Sequence, residues 1–356
     1  MKRYLFIILS CISLHLSAVE PFSVLFVNPS VKGDPFWEKV QSIAEVAAKQ
    51  NNISLDVIYG EGNRYIQLSE LNKYLQYRAT PDYVVLLNYP GGAEQSMNLL
   101  KQYNVNFITL EQTITGDERG SIGEPQARYK NWLGEIYHDN FKAGRGLADA
   151  LITHSKNQGR QPHVVAINGH YGTESDARSD GLKAYLADNK LQLSQTVYAG
   201  WSKLEAITKT KKLIQRYPKT NVIWSASDLM ALGAYTGVSN AKNYSMGGFD
   251  WLKDNLRLIK QDKLAASVGG HFMMAGWALI TLVDLRNGHD YWKNNTNIEI
   301  DLDVITKDNI NQYEYLIDVN NWSFVDFNRY RLLDNEQLSY RFDIKSLRKD
   351  NLNLEK

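Results

Sequence analysis

Short apolar runs alternate along this chain with stretches whose apolar residues recur every three or four positions. Ser23 to Asn28 (SVLFVN) is the first run and suits a strand buried on both faces. Phe36, Val40, Ile43, Ala44 and Ala47 then fall at helical spacing, and Asp34-Pro35 before them suits a helix start with Asp34 as cap and Pro35 at the first helical position. The same reading predicts further strands over 54–59, 83–87, 106–110, 163–168, 194–199, 221–225, 245–249 and 264–269. Helices are predicted between them over 66–78, 92–103, 139–154, 176–189, 203–217, 229–239, 251–261 and 272–288. Strands that alternate with helices imply parallel sheets covered on both faces. The expected fold class is therefore α/β, with two similar halves, each a doubly wound parallel sheet.

Three stretches depart from the rhythm. Residues 114–132 hold Gly116, Gly120, Gly123 and Pro125 among charges and read as a loop or excursion. Residues 331–356 are mostly charged and polar and read as an extension on the surface. The N-terminus has a basic head (Lys2-Arg3), an apolar stretch and Leu16-Ser17-Ala18, which together read as an export leader over residues 1–18. The single cysteine, Cys11, falls inside it, as an ordinary leader residue or, alternatively, as a lipid-anchored one, since Leu9-Ser10-Cys11 loosely resembles a bacterial lipobox. In the first case the mature chain has no thiol, which removes disulfides, thiolate metal sites and cysteine nucleophiles.

The 356 residues suit two domains, and 44% hydrophobic with 22% charged residues is a globular balance. Forty basic against 39 acidic residues give nothing that attracts nucleic acid or an anionic membrane by bulk charge. No Gly-x-Ser-x-Gly, His-Glu-x-x-His or Walker loop is present, the seven histidines show no metal spacing, and no cofactor is implied.

Several segments sit just after predicted strands, where open α/β sheets bind ligands. They are Asp34-Pro35-Phe36-Trp37, Glu111-Gln112, Asp228-Leu229-Met230-Ala231-Leu232-Gly233 and Gly248-Phe249-Asp250. With His138-Asp139-Asn140 and Lys263-Leu264-Ala265-Ala266, they make the chain resemble, collinearly over about residues 21–310, the type I periplasmic binding proteins of the ribose/galactose-binding kind. The resemblance implies two lobes joined by three chain crossings, with a ligand held between them. The N-terminal lobe would be 21–136 plus 271–297 and the C-terminal lobe 137–270 plus 298–330.

The resemblance also implies site residues. Phe36 and Trp37 would supply ring-stacking aromatics, with core packing as the alternative. Asp34 and Asn88 match polar contacts, and each also suits a purely local role, as helix cap and turn residue. Glu111-Gln112 stands where sugar binders of this family often have Asp-Arg. Gln112 lacks the charged fork of arginine, which puts a plain aldopyranose or ribose in doubt. Arg178, three before Gly181, matches a ligand-binding arginine, and Trp201 an aromatic wall from the second lobe. Ser227 would be a short donor and acceptor, while Asp228 is expected to cap the next helix. Asp250 matches a ligand carboxylate. Gly269-Gly270 lies where the family tends to carry an amide or acid, so His271 is a candidate to fill that gap, with a structural histidine as the equal alternative.

The function implied is a periplasmic solute-binding protein that captures a small polar, sugar-like ligand and delivers it to an ABC importer in the inner membrane. A sensory receptor that presents its ligand state to a membrane kinase shares the fold and stays open. The carboxylates Glu111 and Asp250 also leave a glycosidase pair conceivable, although binding alone accounts for them. An export leader in place of a DNA-binding headpiece sets aside the repressors that share the core fold.

Overall fold

The apolar runs become the strands of two six-stranded sheets in a computed structural model, which describes residues 21–111, 113–172, 174–317, 319–332 and 339–348. The expected leader, Cys11, Gln112 and the chain end lie outside the described residues. The first sheet is laid down by β1 (Phe22–Asn28), α1 (Pro35–Gln50), β2 (Ile53–Tyr59), α2 (Arg64–Tyr77), β3 (Tyr83–Leu86), α3 (Ala93–Gln102), β4 (Asn106–Leu110), α4 (Gly116–Ile122) and β5 (Trp132–His138). The second follows with α5 (Asn140–Asn157), β6 (Val164–Asn168), α6 (Glu174–Asp188), β7 (Leu193–Tyr198), α7 (Lys203–Arg216), β8 (Val222–Ser225), α8 (Asp228–Gly237), β9 (Ser245–Phe249), α9 (Lys253–Lys260) and β10 (Ala266–Gly269). The chain then forms α10 (Met274–Arg286), which packs on α1. It adds β11 (Asn297–Ile300) to the first sheet and β12 (Asp303–Thr306) to the second.

The strand orders are β11-β5-β4-β3-β1-β2 and β12-β10-β9-β8-β6-β7. All pairings are parallel except that of β12 with β10. Each sheet thus reverses its winding beside its first strand, at β1/β3 and at β6/β8, and such switch points open crevices at the carboxyl ends of strands. Val24, Leu25, Phe26 and Val27 of β1 are all buried, as a central strand covered on both faces requires. The chain passes between the sheets three times, at β5→α5, β10→α10 and β11→β12. No helix among the described residues is long and apolar enough to cross a membrane.

Three expectations need correction. Residues 114–132 contain α4, and its Glu118 carboxylate accepts from the backbone N–H of Gly91 (2.7 Å) and Ala93 (3.0 Å), capping α3 from outside. Residues 298–300 pair with β5 in the first sheet, not the second. The later part of 307–330 also leaves the second lobe: Gln50 on α1 donates to the Val325 carbonyl (2.8 Å) and accepts from Phe327 N–H (2.9 Å).

The C-terminal extension is no surface decoration either. Phe342, Ile344 and Leu347 are buried, and Phe342 stacks on Trp277 at 5.0 Å. The fully buried Asp284 of α10 accepts from Arg331 Nε, the Leu332 N–H and the Tyr340 hydroxyl. The segment returns to the crossings, where Arg348 Nη2 reaches Asp303 (2.7 Å) and Ile344 lies against Gly270. An added Cβ at Gly270, whose φ is +121°, would lie 2.8 Å from Ile344.

Candidate ligand cleft

The first lobe's contribution starts where β1 ends. Asp34 Oδ1 accepts from the N–H of Phe36 (3.0 Å) and Trp37 (2.9 Å), so this carboxylate caps α1 and fixes both rings at the helix start. The two rings meet edge to face at 5.3 Å, and Phe36 lies 4.5 Å from the His271 ring. Glu111 directly follows β4 in the left-handed region (φ +58°). It is 5% exposed, and its side chain has no hydrogen-bond partner among the described residues.

The second lobe holds Arg178 through glycine. A Cβ on Gly144 would lie 1.8 Å from the Arg178 carbonyl, and one on Gly181 would lie 2.0 Å from the Phe141 carbonyl. Only without those side chains can α5 and α6 meet backbone to backbone. Arg178 is thereby seated on α6, where Nε donates to Asn140 Oδ1 (2.8 Å) and Nη1 to the Ala226 carbonyl (2.9 Å), with the guanidinium 4.6 Å over the Phe249 ring. Asn140 in turn faces His138 Nε2 at 3.0 Å, so the first crossing between the lobes helps to aim this arginine. Trp201 (φ +61°) lies on Gly169, where a Cβ would stand 2.2 Å from the indole.

Ser227, not Asp228, is the N-cap of α8: its Oγ accepts from Met230 N–H at 3.2 Å. Asp228 is fully buried one residue later and accepts from Leu252 N–H (2.8 Å) and Ser267 Oγ (2.9 Å), tying the end of β9 to β10. Asp250 follows β9 at φ +109° and places Oδ1 3.3 Å from His271 Nε2. Lys39 of α1 donates to the backbone carbonyls of Asp250 (3.2 Å) and Trp251 (2.6 Å), a direct bond between lobes.

Burial governs the electrostatics. It pushes the Glu111 carboxyl up to about 8 and that of Asp250 up to about 7, with the Arg178 charge pulling both the other way. It brings the Lys39 ammonium down to about 7, opposed by Asp228 and Asp250. His138 and His271 are held well below the ordinary histidine range by burial, and the Arg178 charge adds to this, so both are neutral near pH 7.

A cavity of about 570 Å³ lies between the lobes. Nine of the ten residues singled out in the sequence line it. Asp34, Phe36, Trp37 and Glu111 come from the first lobe, Arg178, Trp201, Ser227 and Asp250 from the second, and His271 from the second crossing. Asn88 does not line it; it is 1% exposed between the lining residues Leu87 and Tyr89, and neither amide atom has a hydrogen-bond partner among the described residues. Sequence reasoning missed Arg64, Thr113, His170, Tyr171 and Glu174, which also line the cavity. They sit in loops or at helix starts, where no periodicity marks them; the one available signal was that each follows a predicted strand within a few residues. Gly269, which stands where the resemblance implies an amide or acid side chain, is glycine because a Cβ would lie 2.5 Å from the Trp251 ring.

Flat apolar rings, carboxylates and a fixed guanidinium converging on one cavity can hold a small molecule by its ring face and its hydroxyls together. No group of three or more His, Cys, Asp or Glu among the described residues could hold a metal ion. Fold and cleft define a two-lobed α/β binding protein. A periplasmic binding protein domain matches residues 24–288, and the chain belongs to that family.

Among its relatives, the ribose import binding protein RbsB of Bacillus subtilis is 24% identical over 68% of this chain and 74% of that protein. The D-allose-binding periplasmic protein of Escherichia coli is 24% identical over 66% of this chain and 75% of that protein. A crystal structure of a periplasmic sugar-binding protein from Pseudomonas fluorescens superposes with a TM-score of 0.80 at 26% identity, covering 92% of this chain and 99% of that one.

Proposed function

We propose that this protein captures a small, hydroxylated, sugar-like molecule between its lobes in the periplasm and delivers it to an ABC importer. One observation carries the reading: a single cavity receives aromatic rings from both lobes, Phe36 and Trp37 against Trp201, with Arg178, Glu111 and Asp250 at the same cavity. A sugar offers a weakly apolar ring face and hydroxyls that donate and accept, and this lining answers both. The relatives that bind ribose and D-allose support the same ligand class. The three crossings act as the hinge, and closure brings Trp201 and Arg178 toward Phe36 and Trp37.

Titration calorimetry against pentoses, hexoses and their furanose forms tests the reading. A saturable heat with one sugar, lost in Arg178→Ala while the variant stays folded, supports it; equal affinity in the variant refutes the site. Uptake of that sugar by vesicles carrying the cognate permease supports import. Activation of a membrane kinase by the loaded protein, without uptake, assigns the same cleft to a sensory receptor.

A further inference from the structure

A second cavity of about 590 Å³ opens beside the first and shares Pro90, Thr113, Gly172 and Glu174 with it. Among the described residues, its charged lining is entirely acidic: Asp139, Glu174, Asp176, Asp180 and Glu299. Together the joined cavities are lined by eight carboxylates and two guanidinium groups.

Both guanidinium groups already have partners. Arg178 is held by Asn140 and the Ala226 carbonyl, and Arg64 by the Pro90 carbonyl and the Tyr65 hydroxyl. Several carboxylates are also engaged. Asp34 and Asp139 cap helices, Asp176 accepts from Gly172 N–H and the Tyr198 hydroxyl, and Asp180 pairs with Lys183. Glu111 stands apart: it is nine-tenths buried, lines the first cavity and has no hydrogen-bond partner among the described residues. Glu174 lies near enough for its charge to raise the proton affinity of Glu111. Glu111 and Glu174 line the same cavity, and carboxylates facing one cavity without a bound cation repel each other, while a cleft with such an excess of one sign focuses a field that attracts the other. Neutral hydroxyls need acceptors but no such excess. An ammonium group satisfies both carboxylates at once, and the faces of Phe36, Trp37 and Trp201 accept a cation as readily as a sugar ring.

Building on the sugar-binding reading, we propose that the ligand carries a protonated amine beside its hydroxyls, as an amino sugar does, and that Glu111 and Glu174 take its ammonium group. Glu174 is half-buried in the first turn of α6, where glutamine fits the same space.

The test is calorimetry on matched pairs: D-glucosamine with D-glucose, D-galactosamine with D-galactose and D-mannosamine with D-mannose, each amine also in its N-acetyl form. The amine of at least one pair is expected to bind roughly tenfold or more tightly than its hydroxyl partner. N-acetylation should remove that advantage, and Glu174→Gln should reduce it toward the neutral sugar's affinity. A neutral sugar binding as tightly as its amine, or more tightly, overturns the amine proposal and leaves sugar binding standing. An amine preference untouched by Glu174→Gln overturns the assignment of Glu174. Failure of every member of every pair to bind counts against both readings.

Discussion

Asp250 Oδ1 lies 3.3 Å from His271 Nε2, joining the residue that follows β9 of the second sheet to the residue that opens the crossing back to α10. His271 is neutral in this setting, and its ring rests against Phe36 of the first lobe. One contact chain, Asp250–His271–Phe36, thus runs from one lobe through the hinge to the other. Asp250→Ala breaks it at the carboxylate, and Arg178→Ala removes the guanidinium that the same lobe brings to the cavity. Each is expected to weaken ligand binding by about 2–5 kcal/mol, the usual cost of truncating one partner of a desolvated charged hydrogen bond. Calorimetry beside circular dichroism checks this, since affinity should fall while the fold persists.

The glycines of the cleft give a sharper test, because they touch no ligand themselves. Gly169→Ala puts a Cβ 2.2 Å from the Trp201 indole and must displace that ring. Gly181→Ala must push α6 off α5 and move Arg178 with it. Both variants should lose ligand affinity, and Gly181→Ala should also lose stability by about 1–3 kcal/mol from overpacking. Denaturant unfolding and ligand titration of the two proteins measure these effects separately.

Much of this was legible in the sequence, and the failures have physical causes. β1, β3, β4, β6, β8, β9 and β10 announce themselves as apolar runs because they are buried inside their sheets, whereas the edge strands β2 and β7 are only partly buried and were read from their place between helices. β5 did not, since its run Trp132-Leu133-Gly134-Glu135-Ile136-Tyr137-His138 is interrupted by a glycine and a buried acid. Gly134 is needed because a Cβ would lie 2.2 Å from Trp292, and Glu135 is buried with Arg119 at 2.5 Å. The C-terminal segment packs through 3₁₀ turns and isolated anchors, Trp322, Phe327, Phe342 and Ile344, whose spacing matches neither sheet nor helix period. In the cleft, capping residues were readable because Asp34 lies next to Pro35. Glu174, in the first turn of α6, and Tyr171, in the loop before it, were not, because nothing local distinguishes a residue that faces a cavity from one that faces water.

The buried carboxyl of Glu111 makes a prediction about pH. Its folded value is about 8 against an ordinary 4.5, so between these limits the folded state keeps a proton that the unfolded state releases. The stability it contributes is present below about 4.5 and is lost as pH rises through about 8, at up to roughly 1.4 kcal/mol per pH unit. Glu111→Gln has no such proton. The stability of the wild type minus that of the variant should therefore fall from pH 5 to pH 8, while Lys39 and the buried histidines are common to both proteins and largely cancel. Urea unfolding of both proteins across that range checks it, and a difference constant with pH contradicts it.

The C-terminal segment is a structural part of the first lobe, and Asp284 is where it is held. Asp284→Ala leaves Leu332 N–H, Arg331 Nε and the Tyr340 hydroxyl without their acceptor. A loss of about 3 kcal/mol is expected in denaturant unfolding, with ligand affinity little changed.

Whether the cleft between the lobes binds a sugar-like molecule is decided by thermal unfolding. The wild type and Asp250→Ala would be heated with each member of a panel of neutral and amino sugars. A ligand that binds only the native state must raise the melting temperature by mass action. A concentration-dependent rise is expected for at least one sugar with the wild type and none with Asp250→Ala. A rise of equal size in both proteins, or no rise with any sugar, would contradict it.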